Sequence, residues 1–193
     1  QMHSKVVLVT SGLLILLGGL ALFYSEFDHS SRSLTAPAKV QAALFHAVSA
    51  RTAGFNLVDF GTLSSVGVIV MCLLMFVGGS PGGTAGGIKT TSFAALILAV
   101  RAILWGREDI EVFGRTISKE NLYRAFAVGT ISFVVVIVWF TMLVATQSLG
   151  FIELLFECVS AFGTVGLSMN VTPKLNALGQ LLIVFLMFIG RVG

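Results

Sequence analysis

Long runs of uncharged apolar residues constrain the fold of this sequence more than any other feature. Residues 6–23 and 125–149 each contain a run about as long as a membrane is thick, because roughly 20 helical residues cross the hydrocarbon core. Only 11% of the 193 residues are charged, whereas an ordinary soluble domain has about 25%. The sequence therefore predicts an all-α membrane protein.

Two further apolar segments, residues 38–50 and 151–161, are too short to cross a membrane. Each one follows a long run and leads into a stretch of small residues. Apolar character resumes after each stretch and continues to about residues 105 and 193. The order of span, short helix, small-residue loop and span thus occurs twice.

The two halves also match residue by residue around the short helices. Phe45 corresponds to Phe156, and the sequence Val-Ser-Ala occurs at 48–50 and again at 159–161. An internal repeat of this kind is stronger evidence than either motif alone. The first T-x-G loop consists of Thr52, Ala53, Gly54 and Phe55, and the second T-x-G loop of Thr164, Val165, Gly166 and Leu167.

A T-x-G loop at membrane depth suggests an ion pathway. Irregular backbone survives there only against protein or a watery cavity, because unpaired N–H and C=O groups are costly in hydrocarbon. Loop carbonyls can replace the hydration shell of a cation, as in potassium-channel filters. The C-terminal dipole ends of the two short helices would favour the same charge. All eight residues of the two T-x-G loops are therefore predicted to bind the ion.

Residues 78–91, here called the glycine-rich loop, interrupt the second span of the first unit. The sequence is not a phosphate-binding loop, because that motif needs Gly directly before Lys89, where Ile88 stands. A helix break for close packing is one interpretation. The other is a non-helical gate below the filter. Its predicted members are Gly78, Gly79, Ser80, Gly82, Gly83, Thr84, Gly86, Gly87 and Lys89.

Three polar residues near these loops are predicted to act with them. Arg191 lies in the last apolar run, where a charge usually faces a cavity or a partner, or snorkels to the membrane edge. We assign it to the gate. Arg51 and Asn56 flank the first T-x-G loop and are predicted to support it, with Glu157 as a candidate partner of Arg51.

Charge predicts the orientation and the remaining composition excludes other classes. Lys and Arg are concentrated near 101–124, which favours a cytoplasmic linker at 106–120. The net charge of +3 is explained by residues that flank spans, so no nucleic acid is expected. Cys72 and Cys158 are predicted to be buried free thiols, and no cofactor or metal site other than the ion pathway is predicted.

Four segments in this order resemble one family of transporters. VSARTAGFN, MFVGGSPGGTAGGIKTT, VSAFGTVGLSMN and FIGRVG are similar to the membrane subunit of Ktr-type potassium transporters, in the superfamily that includes Trk and HKT proteins. The resemblance covers essentially the whole chain. Members have four span–pore helix–span units around one pore, and this chain resembles the third (1–105) and the fourth (121–193, truncated in its last helix).

The resemblance implies a function and its partners. It implies potassium uptake through the T-x-G filter, with sodium dependence left open. Residues 78–91 would gate this pathway, and Arg191 would face them. It also implies a homodimer on a cytoplasmic ring of nucleotide-binding regulatory subunits, in a plasma membrane of the bacterial inner-membrane type. We accordingly expect the chain to be a piece of a longer protein.

Three other classes were weighed against a pore. A secondary transporter with a midplane cation site in broken helices would have inverted repeats, whereas these two units run in the same sense. A membrane enzyme would need a nucleophile or paired carboxylates with a partner, and Glu153 and Glu157 have no His nearby in the sequence. A purely structural subunit would have no reason to repeat a T-x-G loop.

Overall fold

A computed structural model of the chain describes residues 2–26, 29–32, 34–83, 85–106, 111–112, 115–116 and 118–192. Helices account for most of them, which confirms the predicted all-α class. Two-residue strands, Glu111–Val112 and Arg115–Thr116, pair antiparallel within the predicted linker. The helices are α1 (Met2–Glu26), α2 (Ala36–Ser49), α3 (Ser65–Phe76), α4 (Thr90–Leu104), α5 (Lys119–Thr146), α6 (Phe151–Gly163) and α7 (Ala177–Val192), with short 3-10 turns at Phe60–Thr62 and Thr172–Lys174.

Two of these helices are long and apolar enough to cross a membrane. They are Ser4–Glu26 within α1 and all of α5, while α3, α4 and α7 are shorter apolar helices. Large apolar side chains on the long helices are exposed, for example Leu17 at 62% on α1 and Ile131 at 63% on α5. Exposed apolar surface of this kind suits contact with lipid.

Helix α6 is the most enclosed part of the fold. Nine of its thirteen residues are buried, including Phe156, Cys158 and Ser160. It packs between α3, α5 and α7, and Phe156 lies beside Phe60 with ring centroids 5.8 Å apart. Cys72 and Cys158 are both buried and free, as predicted. The short helix of the second unit is thus fixed from several sides.

The start of α3 is tied to the end of α1. Ser64 caps α3 by accepting a hydrogen bond from the Gly67 N–H at 2.9 Å, which satisfies a helix N–H that has no partner within the helix. Glu26 is buried and accepts from both the Ser64 N–H at 3.0 Å and the Ser64 hydroxyl at 2.6 Å. This contact joins the C-terminal end of α1 to the N-terminal end of α3.

Close glycine packing joins α7 to the end of α6. A Cβ atom at Gly190 would overlap the carbonyl oxygen of Phe162 and lie 2.8 Å from its carbonyl carbon. Real Cβ atoms do not approach so closely, so the helices can meet here only because residue 190 has no side chain.

Replacing Gly190→Ala should lower stability by about 1–3 kcal/mol, the usual cost of overpacking. The measurement is thermal melting of the purified protein in detergent. Gly12→Ala on α1 is the matched control, because its Cβ would meet nothing within 4 Å. Alanine there should be neutral or stabilise the helix by about 0.5–1 kcal/mol. Equal melting temperatures for the two variants would contradict the close packing.

Candidate functional site

Both T-x-G loops have an alternating backbone conformation. Thr52 and Gly54 have φ angles of 75° and 77°, and Thr164 and Gly166 have 52° and 89°. In an extended chain successive carbonyls point to opposite sides. A left-handed residue at every second position offsets this alternation, so neighbouring carbonyls can turn to the same side. Two of these four positions are glycine, which adopts a positive φ without strain.

The N–H groups of both loops turn back to the short helices. Ala53 and Gly54 donate to the Ser49 carbonyl at 3.1 and 3.2 Å, and Val165 donates to the Ser160 carbonyl at 3.0 Å. The carbonyls of 52–54 and 164–166 accept no hydrogen bond from any other residue that the structure describes. The N–H groups of Ala53, Gly54, Thr164 and Val165 therefore point back to the short helices, and each loop leaves three successive carbonyls without a donor among the described residues.

The hydroxyls of Ser49 and Ser160 bind the last residue of each T-x-G loop. Phe55 N–H donates to the Ser49 hydroxyl at 2.8 Å, and the same hydroxyl donates to the Phe55 carbonyl. In the second unit the Ser160 hydroxyl donates to the Leu167 carbonyl at 2.6 Å. The carbonyls of Phe55 and Leu167 are thus directed toward the short helices, unlike those of the three residues before them.

A second pair of corresponding positions holds the segment after each loop. His46 and Glu157, each 5% exposed, follow the matching phenylalanines of the repeat. His46 Nε2 accepts from the Leu57 N–H at 3.2 Å. Glu157 accepts from the hydroxyls of Ser168 and, at 2.9 Å, Thr172. The segment after the loop is thus held by an imidazole in the first unit and by a carboxylate in the second.

None of these four supporting roles was predicted from the sequence. Ser49 and Ser160 belong to the repeated Val-Ser-Ala, which was used only to align the halves. Their position three to four residues before the loop could have predicted these contacts. A serine at the end of a helix lies near the backbone that follows and can bond to it.

The two T-x-G loops also approach each other directly. A Cβ atom at Gly54 would overlap the carbonyl oxygen of Val165 and lie 3.7 Å from the Gly166 Cα. The predicted ion-binding loops of the two units therefore face one another at Gly54 and Val165. Outside them, the Asn170 amide donates to Asp59 at 3.0 Å and links the two units again.

Arg51 contacts α1 and the glycine-rich loop, and not the partner considered in the sequence. Its guanidinium donates to the carbonyls of Ser11 at 3.4 Å and Gly78 at 3.3 Å. The candidate partner Glu157 was wrong, because that carboxylate binds Ser168 and Thr172 instead. Asn56 is exposed and donates to the Val58 carbonyl at 3.3 Å, so this contact lies beyond the first T-x-G loop.

The glycine-rich loop is closed at its base. Val77 and Ile88 form a parallel bridge, Ile88 N–H donates to the Phe76 carbonyl at 3.2 Å, and Thr90 N–H donates to the Gly79 carbonyl at 3.2 Å. Helix α4 begins at Thr90, so the last two residues of the predicted loop are helical. Thr84, a predicted gate residue, lies outside the described residues.

The described part of the glycine-rich loop lies between the second T-x-G loop and α7. Gly86 N–H donates to the Thr164 hydroxyl at 2.9 Å, and Gly87 N–H donates to the Gly190 carbonyl at 3.3 Å. Arg191 follows Gly190 and its side chain is exposed. Lys89 donates to the Ala85 carbonyl, while Gly82, at φ 86°, has open space around it.

A cavity of about 490 Å³ separates the glycine-rich loop from the first T-x-G loop. Its walls come from α1, the end of α2 and both loops. The predicted residues Arg51, Thr52, Ala53, Gly79, Ser80 and Gly83 line it together with Ser11, Ile15, Val48 and Ala85. The structure therefore brings part of the first T-x-G loop, Arg51 and part of the glycine-rich loop to one cavity.

Comparison with known proteins identifies the family. The family model described as TrkH, cation transport protein, matches residues 2–193. The chain belongs to this family. It is 37% identical over its full length to the Ktr system potassium uptake protein B of Bacillus subtilis and 38% identical to the potassium/sodium uptake protein NtpJ of Enterococcus hirae, in each case covering 44% of the relative.

A solved structure has the same fold. The potassium transporter TrkH of Vibrio parahaemolyticus superposes with a TM-score of 0.78 at 20% identity, covering the whole of this chain and 42% of that one. The chain thus spans less than half the length of the relatives it matches. As a member of this family it is a multi-pass plasma-membrane protein, and the resemblance stated from the sequence is confirmed.

Replacing Ser160→Ala should loosen the second T-x-G loop. The change removes the donor to Leu167 in a buried site, which costs about 1–3 kcal/mol. Hydrogen–deuterium exchange across 164–170 should accelerate. Ser25→Ala is the matched control, because its hydroxyl donates only to Leu22 of its own helix at 3.3 Å. Unchanged exchange in the Ser160 variant would show that the hydroxyl does not hold the loop.

Proposed function

We propose that this chain supplies two units of a potassium uptake pore. The carbonyls of Thr52, Ala53, Gly54, Thr164, Val165 and Gly166 would bind the ion, and those of Phe55 and Leu167 would end the filter. The observation that carries this proposal is the set of six loop carbonyls that accept no hydrogen bond from the described residues, while the N–H groups of Ala53, Gly54, Thr164 and Val165 are bonded to the short helices.

The physical properties of these loops favour a large monovalent cation. Carbonyl dipoles can replace water around an ion without binding it so tightly that it cannot leave. The C-terminal ends of α2 and α6 lead directly into the loops and add negative potential. Relatives named for potassium uptake and for potassium and sodium uptake support this ion class, and sodium enters the test as a competitor.

Two T-x-G loops do not surround an ion, so the pore needs further units. We propose that residues 1–105 and 121–193 act as the third and fourth of four units, with 106–120 as a cytoplasmic linker. The coverage of 44% of the relatives supports this division. A homodimer and a nucleotide-binding regulatory ring at the linker complete the proposal. The potassium ion is the transported substrate, and no enzymatic step is proposed.

The glycine-rich loop would be the gate of this pore. Its contacts with Thr164 and Gly190 hold it against the inner side of the second T-x-G loop, and Arg191 would add a positive charge beside it. Regulatory subunits would act by moving the loop or α4, which begins directly after it.

A secondary transporter with a midplane cation site is the second candidate. The interruption between α3 and α4 favours it, since broken helices form such sites. The repeated order of long helix, short helix, T-x-G loop and apolar helix in the same sense favours the pore. Saturable uptake coupled stoichiometrically to a sodium or proton gradient would support the transporter instead.

The two filter glycines should differ in their tolerance of alanine. Gly54→Ala should abolish selective uptake, because it combines a strained φ with overlap of the Val165 carbonyl. Gly166→Ala should be milder, because nothing lies within 4 Å of its Cβ and only the φ of 89° opposes it. The left-handed conformation costs alanine roughly 1–2 kcal/mol.

The measurement is rubidium uptake, with sodium as competitor, by the complete transporter in a strain deficient in potassium uptake. Gly12→Ala serves as the control for expression. Gly54→Asp and Gly166→Asp place a charged side chain in the filter. Normal selective uptake in both aspartate variants would exclude these loops as the filter.

Shortening the tip of the glycine-rich loop should increase flux. Residues 81–83 form a turn closed by the Gly83 N–H and the Ser80 carbonyl at 3.3 Å, and their deletion leaves the base of the loop intact. Rubidium uptake without regulatory stimulation should rise if this loop blocks the pathway. Unchanged uptake at equal membrane abundance would favour a packing role for the loop.

A further inference from the structure

The glycine-rich loop contacts the two T-x-G loops unequally. Its Gly86 N–H is hydrogen-bonded to the Thr164 hydroxyl at 2.9 Å. The corresponding Thr52 faces the 490 Å³ cavity, and its side chain has no hydrogen bond to any residue that the structure describes. A movement of the glycine-rich loop therefore changes the surroundings of the second T-x-G loop first.

The contact at Thr164 leaves no free space. A Cβ at Gly86 would lie 2.6 Å from the Thr164 Oγ1, 2.7 Å from its Cγ2 and 2.9 Å from the Gly190 carbonyl oxygen. On the other side, a Cβ at Gly163 would lie 2.6 Å from the Met75 carbonyl oxygen. Backbone from the loop, the end of α6 and α7 meets here at the closest distances that glycine permits.

Thr164 itself is in a strained conformation. Its φ of 52° and ψ of 38° are left-handed, which is unusual for a β-branched residue. Strain of this kind persists only where the surroundings hold it. Two groups of Thr164 hold it: its N–H, which donates to the carbonyls of Ala161, at 3.0 Å, and Ser160, and its hydroxyl, which accepts the hydrogen bond from Gly86.

We propose that Thr164 is a positioning residue, an inference that rests on the proposed filter. It couples the position of the glycine-rich loop to ion discrimination by the filter. With the loop docked, the Gly86–Thr164 hydrogen bond holds both the loop and the left-handed turn of the filter. When the loop moves away, the Thr164 hydroxyl loses this hydrogen bond. Flux and selectivity are then linked through one side chain.

The test uses rubidium uptake and rubidium-to-sodium preference in the complete transporter, with membrane abundance measured by immunoblot. Thr164→Val removes the acceptor at constant shape and should raise unstimulated flux and lower the preference for rubidium, each by about three- to tenfold, the effect of losing one hydrogen bond. Thr164→Ser keeps the hydroxyl acceptor, so its flux and its rubidium preference should match those of the unmodified transporter. Thr141→Val, an exposed threonine on α5 that bonds only to Ile137, is the matched control.

Gly86→Ala breaks the same contact from the loop side and leaves Thr164 in place, so the test does not depend on one variant. Because both changes break the Gly86–Thr164 contact, their effects on flux and preference should not multiply in the double variant, and Gly86→Ala alone also crowds the Gly190 carbonyl oxygen. The coupling would be overturned if both single variants kept the flux and ion preference of the unmodified transporter, or if their effects multiplied in the double variant. Selective uptake by the unmodified transporter would still support the pore. A parent that takes up no rubidium would overturn the proposed function instead.

Discussion

The return of loop N–H groups to the carbonyl ends of the two short helices is the interaction on which this structure depends. A backbone that leaves a helix at membrane depth must satisfy its donors within the protein. Here Ser49 and Ser160 accept them through their carbonyls. Since the N–H groups at the start of each loop are bonded to the short helix behind them, three successive carbonyls in each loop remain available as acceptors, which a cation can use without any charged side chain.

The same serines fix where each row of acceptors ends. Their hydroxyls engage the carbonyls of Phe55 and Leu167, and the buried His46 and Glu157 hold the next segment. The repeated scaffold thus keeps a similar helix-to-loop contact in the two units, since the carbonyl and the hydroxyl of the serine bind the loop in both, and the contacts farther along the chain differ. The two units also differ at the first residue of the loop, where the Thr164 hydroxyl is bonded to Gly86 of the glycine-rich loop and the Thr52 side chain has no hydrogen bond to any described residue.

Much of this architecture could be predicted from the sequence, because apolar length and the repeat are local signals. The spans, the short helices and the all-α class follow from run lengths, and the family from motifs in order. The contacts of Arg51 with Gly78 and of Gly86 with Thr164 could not be predicted, because they join residues 27 and 78 positions apart through tertiary packing. The serine contacts could have been predicted, since the repeated Val-Ser-Ala places Ser49 and Ser160 shortly before the two loops.

The closed base of the glycine-rich loop has a mechanical consequence. The Val77–Ile88 bridge, with the hydrogen bond from Ile88 to Phe76, and the hydrogen bond from Thr90 to Gly79 join α3 and α4 across the interruption. The two helices can therefore transmit force to each other without passing it through the loop, which is a branch on two directly joined helices. A pull on the C-terminal end of α4 would displace both helices together, and the loop would move with them.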